Sequence, residues 1–407
     1  MRSIHLVGLT VLTVAVAVPI AQGPGAQAPQ GGGGRGRART VEIQPGDECP
    51  PGTTLIRVGI CQAPEFPPPT IVDYRPTSTL VVEQHPVTHA RFPVVDIHNH
   101  ARPTPQDIDQ MVQEMDAMNM RVAVLANNDS GARLQQQLDA IRTSAHKDRF
   151  RVLAGVDFRN VGPGWAEKAV AQLEADIKAG AVGVGEIAKQ AGMTIRKADG
   201  SRLRIDDPDL DPIWDAMTRL NLPVFLHTAD PEEFFHQPDT HNERWLELSL
   251  YPDRRWYLNK DFTFEQLLAE RDALFKKHPK TKFIAAHFGW KAADLGALGR
   301  LLDANPNITT EMGAILYDLG RQPHAAHDFF VKYQDRILFG KDTYAPSEFP
   351  YYWRVFETKD EYFDYYRDYH AFWKLYGIDL PDGVLKKIYF QNALRITPAL
   401  PQSGWPR

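Results

Sequence analysis

The chain has 407 residues, 43% of them hydrophobic, enough for a sizeable buried core. Its 46 Lys and Arg against 51 Asp and Glu leave a formal net charge of −5. That balance argues against nucleic acid as a partner, because binding a phosphate backbone favours a basic face.

Met1 and Arg2 are followed by an apolar stretch, Leu6 to Val18, then Pro19 and small residues. A basic start, a core too short to cross a bilayer comfortably and a small-residue exit predict a secretory signal peptide over 1–28. Cleavage is expected at Ala26-Gln27-Ala28, or earlier near Ala21 or Gly23. The stretch has no polar face for an interfacial anchor and no cysteine at its end for a lipid. No later segment is apolar enough to span a membrane. The mature protein is therefore expected to be exported, to the periplasm or beyond, with no stable membrane insertion. Residues 29–90 read as a Gly/Pro-rich leader and a small N-terminal segment. The two cysteines, Cys49 and Cys61, lie in that segment, and in an oxidising compartment they are expected to pair and close a hairpin loop.

From 91 to about 400 short β-branched runs alternate with helical stretches, the pattern of a parallel sheet built from βα units. The runs are "FPVVDI", "RVAVLAN", "RVLAGVD", "AVGVGEI", "LPVFLHT", "KFIAAHFG", "NITTEMG" and "RILFGKD". Stretches such as "PQDIDQMVQEMDAMN" and "WAEKAVAQLEADIKAG" carry apolar stripes at helical spacing. Gly180 and Asn221 sit where helices should stop. Eight such units predict an α/β fold, a (β/α)8 TIM barrel. A doubly wound sheet usually opens with a Gly-rich turn, and His98-Asn99-His100 stands there instead. Two stretches break the repeat. The polar and aromatic insertion 229–262 after the fifth strand is expected to be a lid. The aromatic C-terminal extension that starts near Phe349 is expected to cap the barrel or meet another subunit, which allows a homo-oligomer.

In a barrel, active sites form at the carboxyl ends of the strands. Those ends carry His98 and His100, Glu186, His227, His287, Glu311 and Asp342. Strand alternation puts His98 and His100 on one side and Asn99 on the other, as two ligands of one ion require. A lone strand-end histidine signifies little; four of them with an aspartate at one rim suggest a divalent-metal site with a position left for water.

These residues stand in motifs, "DIHNH", "FLHTAD", "IAAHFGW", "ILFGKDTYAP" and "YFQNALRI", that resemble the amidohydrolase superfamily. The resemblance runs from about Phe92 to Ile396 and is to the amidohydrolase-related branch that includes aminocarboxymuconate-semialdehyde decarboxylase. It implies that His98, His100, His227 and Asp342 hold a divalent ion, zinc first, with manganese or iron as alternatives. It implies that Glu186, with Lys189 three residues on, either bridges two ions or orients a ligand histidine, so one ion or two stays open. Asp342 would take the proton of a metal-activated water, and His287 would be a second-metal ligand or would move protons beside that water, stabilising or protonating the tetrahedral oxygen. The expected reaction is hydrolysis of an amide, ester or lactone bond in a small molecule. Decarboxylation of an aromatic or unsaturated acid is the alternative, with Arg102 holding the carboxylate, and a non-catalytic binding barrel is the third reading. A nuclease is disfavoured, since the His-Asn-His nuclease motif is spread over a ββα unit rather than contiguous. Substrate contacts are expected from Arg102, Asp230, Trp290 and Tyr344. Glu233, His236, His241, Asn242 and Trp245 are further lid candidates, whereas His85, His89, His324 and His327 read as ordinary surface histidines.

Overall fold

The computed structural model describes residues 40–370 and 373–406, so the expected signal peptide and most of the Gly-rich leader lie outside the described residues. Two compact units divide between Arg75 and Pro76. The smaller contains an antiparallel sheet of three strands, Thr40–Glu42, Ile60–Gln62 and Thr54–Arg57 in spatial order. The expected Cys49–Cys61 disulfide is present beside it.

The larger unit starts before the expected boundary at 91. Ala90 is fully buried, and the backbone N–H and Nδ1 of His85 each reach the Asp360 carboxylate at 2.6 Å. His85 is thus exposed, as expected, and also tethers its segment to Asp360. His327 departs from the surface reading: its Nδ1 donates to Ile378 O at 2.7 Å.

Each of the eight β-branched runs forms a strand: β1 (Val94–Asn99), β2 (Met120–Leu125), β3 (Phe150–Val152), β4 (Val184–Ile187), β5 (Pro223–Leu226), β6 (Lys282–Ala285), β7 (Ile308–Glu311) and β8 (Ile337–Leu338). They pair in parallel, in the order β1-β2-β3 and β8-β7-β6-β5-β4. Between the two sheets run single parallel bridges, Ala154 to Val184 and Asn99 to Asp342. At the second, Asp342 N donates to His98 O at 2.7 Å and His100 N to Asp342 O at 3.0 Å. Every residue of β1 is buried, as expected of a parallel strand covered on both faces.

The crossover helices include α1 (Ile108–Ala117), α2 (Ala132–Thr143), α3 (Trp165–Ala179), α4 (Asp211–Leu220), α5 (Phe264–Lys277), α6 (Leu295–Ala304) and α7 (Pro323–Lys332). In α1 the buried residues Ile108, Met111, Val112 and Met115 form one stripe. Gly180 (φ 126°) and Asn221 (φ 56°) end α3 and α4 in the positive-φ region a C-cap needs. The aromatic extension begins as α8 (Phe349–Glu357), whose Phe349, Tyr352, Trp353 and Phe356 are fully buried. No helix among the described residues is long and apolar enough to cross a membrane.

Candidate metal centre

β1 delivers its two histidines as strand alternation requires. His98 Nε2 lies 3.2 Å from His100 Nε2. Asn99 turns away, donating to Asp96 Oδ2 at 2.8 Å and accepting from Ala101 N at 2.8 Å. Asp342, just past β8, brings Oδ1 to 3.6 Å from His98 Nε2 and 3.3 Å from His100 Nε2. Glu186 in β4 sits among the imidazoles. Its Oε1 is 3.6 Å from His98 Nε2 and 2.6 Å from His227 Nδ1, and its Oε2 is 3.3 Å from His100 Nε2. His227 follows β5 and lies 3.4 Å, Nδ1 to Nε2, from His287.

His287 arrives differently. Beyond β6 the backbone enters a left-handed turn, with φ of 55°, 52°, 56° and 52° at His287, Phe288, Gly289 and Trp290. That region is unfavourable for all but glycine, so external bonds must hold it. His287 N donates to Glu311 Oε1 at 2.7 Å, and Arg271 Nη1 donates to Gly289 O at 2.6 Å.

Hydrogen bonds also set which imidazole nitrogen is free. His287 Nδ1 faces Gly313 O at 2.7 Å. A carbonyl only accepts, so Nδ1 carries the proton there. Burial, then His227, lower the His287 pKa to about 4, which leaves a neutral ring with its lone pair on Nε2. His98 Nδ1 donates to Glu311 Oε1 at 3.1 Å, which turns its Nε2 toward Asp342 and His100. Glu311 was visible as a strand-end carboxylate but had no role in the expected site. It serves His98 and the His287 turn together. Gly340 leaves the room: a Cβ there would stand 2.8 Å from His98 Cβ and against Glu311 Oε2.

The electrostatics favour a cation. Burial opposes a charged His98, but Glu311, Glu186 and Asp342 outweigh it and raise the imidazole to about 10. Burial also opposes ionised Glu186, Glu311 and Asp342, yet nearby imidazoles bring all three below the ordinary carboxylate range. Three overlapping groups could each hold an ion: His98, His100 and Asp342; Glu186, His227 and His287; and His98, His287 and Glu311. Ligands about 2.0–2.2 Å from a tetrahedral ion stand roughly 3.3–3.6 Å apart. The edges of the first group, at 3.2, 3.3 and 3.6 Å, fit that figure. His227 Nε2 is buried without a hydrogen-bond partner. The residues present therefore suit a divalent ion with imidazole and carboxylate ligands.

A cavity of about 230 Å³ opens onto His227, His287 and Asp342. Trp290 and Asp230 line it. The Trp290 ring stacks on His287 at 4.6 Å, while Lys189 at 2.5 Å and Trp256 at 2.7 Å hold Asp230. Two expected contacts are absent from this lining. Arg102 is bound to Asp129, and Tyr344 turns its hydroxyl to Met111 O at 3.1 Å and Glu114 at 2.9 Å. In each case a nearer partner has taken the polar group. Glu233, His236, His241, Asn242 and Trp245 are likewise not among the lining residues. The insertion and the extension contribute others that were not singled out in the sequence, among them Arg244, Glu247, Arg254, Arg367 and His370.

A family model described as amidohydrolase matches residues 95–397. No curated protein matches the chain. Similar solved structures include a TIM-barrel protein from Bordetella bronchiseptica, 15% identical over 76% of this chain and 99% of that one, with a TM-score of 0.46. An amidohydrolase from Burkholderia multivorans with bound zinc is 15% identical over 76% and 100%, TM-score 0.42. IDCase from Metarhizium anisopliae in apo form is 15% identical over 76% and 98%, TM-score 0.44. The family match runs from β1 to beyond the last helix and takes in every member of the imidazole–carboxylate cluster; the chain is an enzyme-type member of the amidohydrolase family, whose chemistry depends on a bound metal.

Proposed function

We propose that this protein is an exported metal-dependent hydrolase that cleaves an ester, lactone or amide bond of a small molecule, in a closed (β/α)8 barrel. The observation that carries the proposal is the convergence of His98, His100, His227, His287, Glu186 and Asp342, which come from five separate strand ends. The bridges at Ala154–Val184 and Asn99–Asp342 support closure of the barrel. The apolar Leu6–Val18 and the Cys49–Cys61 disulfide support export. The insertion and the aromatic extension act as lid and cap, since both contribute walls of the cavity.

His98, His100, His227 and Asp342 are the ligands in this reading, and zinc suits them. When bound, the ion supplies Lewis acidity and makes water a nucleophile near neutral pH. Asp342, which lines the cavity, would accept the proton of the attacking water. His287 takes a narrower role than the sequence suggested. With its proton on Nδ1 and bound to Gly313 O, neutral His287 has only a lone pair to offer at Nε2. It is therefore a ligand or a base, and not a donor to the tetrahedral oxygen. Glu186 divides its work. Its Oε1, 2.6 Å from His227 Nδ1, is too close to be a co-ligand with that nitrogen and orients the ring instead. Its Oε2, 3.3 Å from His100 Nε2, stands at ligand spacing.

Hydrolysis is favoured over loss of carbon dioxide because Arg102, the residue that would hold a departing carboxylate, is engaged by Asp129. The test is elemental analysis of purified mature protein followed by assays on ester, lactone, amide and aromatic-acid substrates, with and without chelator. Chelator-sensitive cleavage of an acyl bond is expected. Release of carbon dioxide from an aromatic acid, with no acyl hydrolysis, would reverse the assignment.

A further inference from the structure

The cavity is also lined by Arg244, Arg254, Lys341 and Arg367, which share two carboxylates between them as ion-pair partners, Glu247 and Glu348. Glu247 serves two of them: Arg244 Nη2 stands 2.5 Å from its Oε2, and Arg254 Nη1 stands 2.5 Å from its Oε1. Glu348 is shared as well. Lys341 Nζ takes its Oε2 at 2.5 Å, which leaves Arg367 Nη2 at 3.8 Å from the same oxygen. That distance is beyond a hydrogen bond. It is also the one carboxylate within ion-pair range of Arg367 among the described residues. Arg367 lines the cavity with 28% of its side chain exposed, and its guanidinium lies 5.2 Å from the Tyr366 ring centroid. Arg254 lines it too, above the Tyr251 ring at 4.1 Å. Arg254 keeps one arm on Glu247, whereas among the described residues Arg367 has only the Glu348 oxygen at 3.8 Å, so its fork is the one steered by an aromatic ring with its N–H groups open to a planar oxyanion.

We infer that Arg367, in the cavity that Arg254 also lines, forms a subsite for a carboxylate that the substrate carries away from the bond being cleaved. The substrate is then a small organic acid bearing an ester, lactone or amide, held between the metal centre and this cationic wall. The inference rests on the hydrolytic reading for the reaction, but not for the binding. The two arginines come from the insertion and the extension, so the segments outside the βα repeat would supply the specificity while the strand ends supply the chemistry.

The test has two arms on metal-loaded protein. In the first, p-nitrophenyl hemisuccinate and p-nitrophenyl butyrate are compared as an acidic and a neutral ester. The kcat/KM ratio of acidic to neutral ester is expected to fall about tenfold or more in Arg367→Gln, mostly through KM, with a smaller fall in Arg367→Lys, which keeps the charge and loses the fork. In the second, titration calorimetry measures benzoate against benzamide. Benzoate is expected to bind more tightly, and Arg367→Gln and Arg254→Gln are each expected to weaken it several-fold. A benzoate affinity that neither substitution changes would place the carboxylate on the metal and overturn the subsite. So would an absence of benzoate binding. Binding that follows Arg367 while neither ester turns over leaves the subsite standing and removes the hydrolytic reading. Turnover with an unchanged ester ratio does the reverse. Should Arg367→Gln not fold, Arg254→Gln carries both arms.

Discussion

Glu311 shows what a single carboxylate can fix. One oxygen accepts from His98 Nδ1 and from His287 N, and the other accepts from Gly313 N at 2.6 Å. Replacing Glu311 by Gln keeps the size but removes the charge and one acceptor oxygen. Outer partners of metal-binding histidines typically contribute 10–100-fold in affinity. Glu311→Gln should therefore weaken zinc binding by about that factor in a competition titration with a chromophoric chelator, with the melting temperature of the zinc-saturated protein moving little. Unchanged affinity would assign Glu311 to packing alone. A second residue gives a pH signature from outside the proposed ligand set. His370 is buried and stacked on Tyr365 at 5.2 Å, with Nε2 3.2 Å from Glu247 and Nδ1 without a partner. Burial chiefly, with Arg244 and Arg367 adding to it and Glu247 opposing, brings its pKa from 6.5 to about 4. The unfolded chain binds a proton there between pH 6.5 and 4 that the folded chain does not. Stability therefore falls as pH drops through that window, by roughly 3 kcal/mol in all. Urea midpoints measured from pH 7 to pH 4 should decline less steeply in His370→Gln than in the parent, and parallel curves would remove this account.

The elements differ in how far the sequence disclosed them. All eight strands and the helices α1, α3 and α4 were legible because β-branched runs and helical stripes report burial, and burial is what folding enforces. The ligand pair in β1 was legible for the same reason: alternation needs only the strand. The turn at His287 was not. Its four positive-φ residues include Phe288 and Trp290, which carry no such preference, and the conformation depends on bonds from Glu311 and Arg271 across the chain. The cation wall was hidden for a similar reason, since the unmet charge of Arg367 depends on which cation reached Glu348 first. Arg102 and Tyr344 show the converse, good candidates by position whose polar groups found partners elsewhere. Element packing also makes a prediction at β8. Gly340 follows the strand, where a Cβ would press on His98 Cβ and Glu311 Oε2. Gly340→Ala should destabilise by about 1–3 kcal/mol through overpacking and should lower metal content, because the atoms it displaces belong to the site. A variant with parental melting temperature and full metal content would show that the seam yields more easily than the geometry allows.

At the scale of the molecule, the metal centre joins segments more than 240 residues apart, from His98 to Asp342. An ion that touches several strand ends ties them together, and the folded state is stabilised by RT ln(1 + [L]/Kd), about 2.7 kcal/mol when free ion is held at 100 times Kd. The cluster also holds three carboxylates, Glu186 and Glu311 buried and Asp342 half-buried, whose mutual repulsion a bound ion would offset. Chelation should therefore do two things together: abolish hydrolysis and lower the melting temperature. Both should return on adding zinc or manganese. Asp342→Asn separates them, since it removes the proton acceptor while an amide oxygen can still face the ion. Its kcat is expected to fall about 100-fold or more, with a smaller change in melting temperature than chelation produces. The metal ratio then decides the role of Glu186. A value near two would be compatible with a bridging role for Glu186, and a value near one would leave it orienting His227. Should chelation change neither activity nor melting temperature, the ligands do not gather an ion and the chain is a binding barrel, which is why the chelator series comes before any substitution.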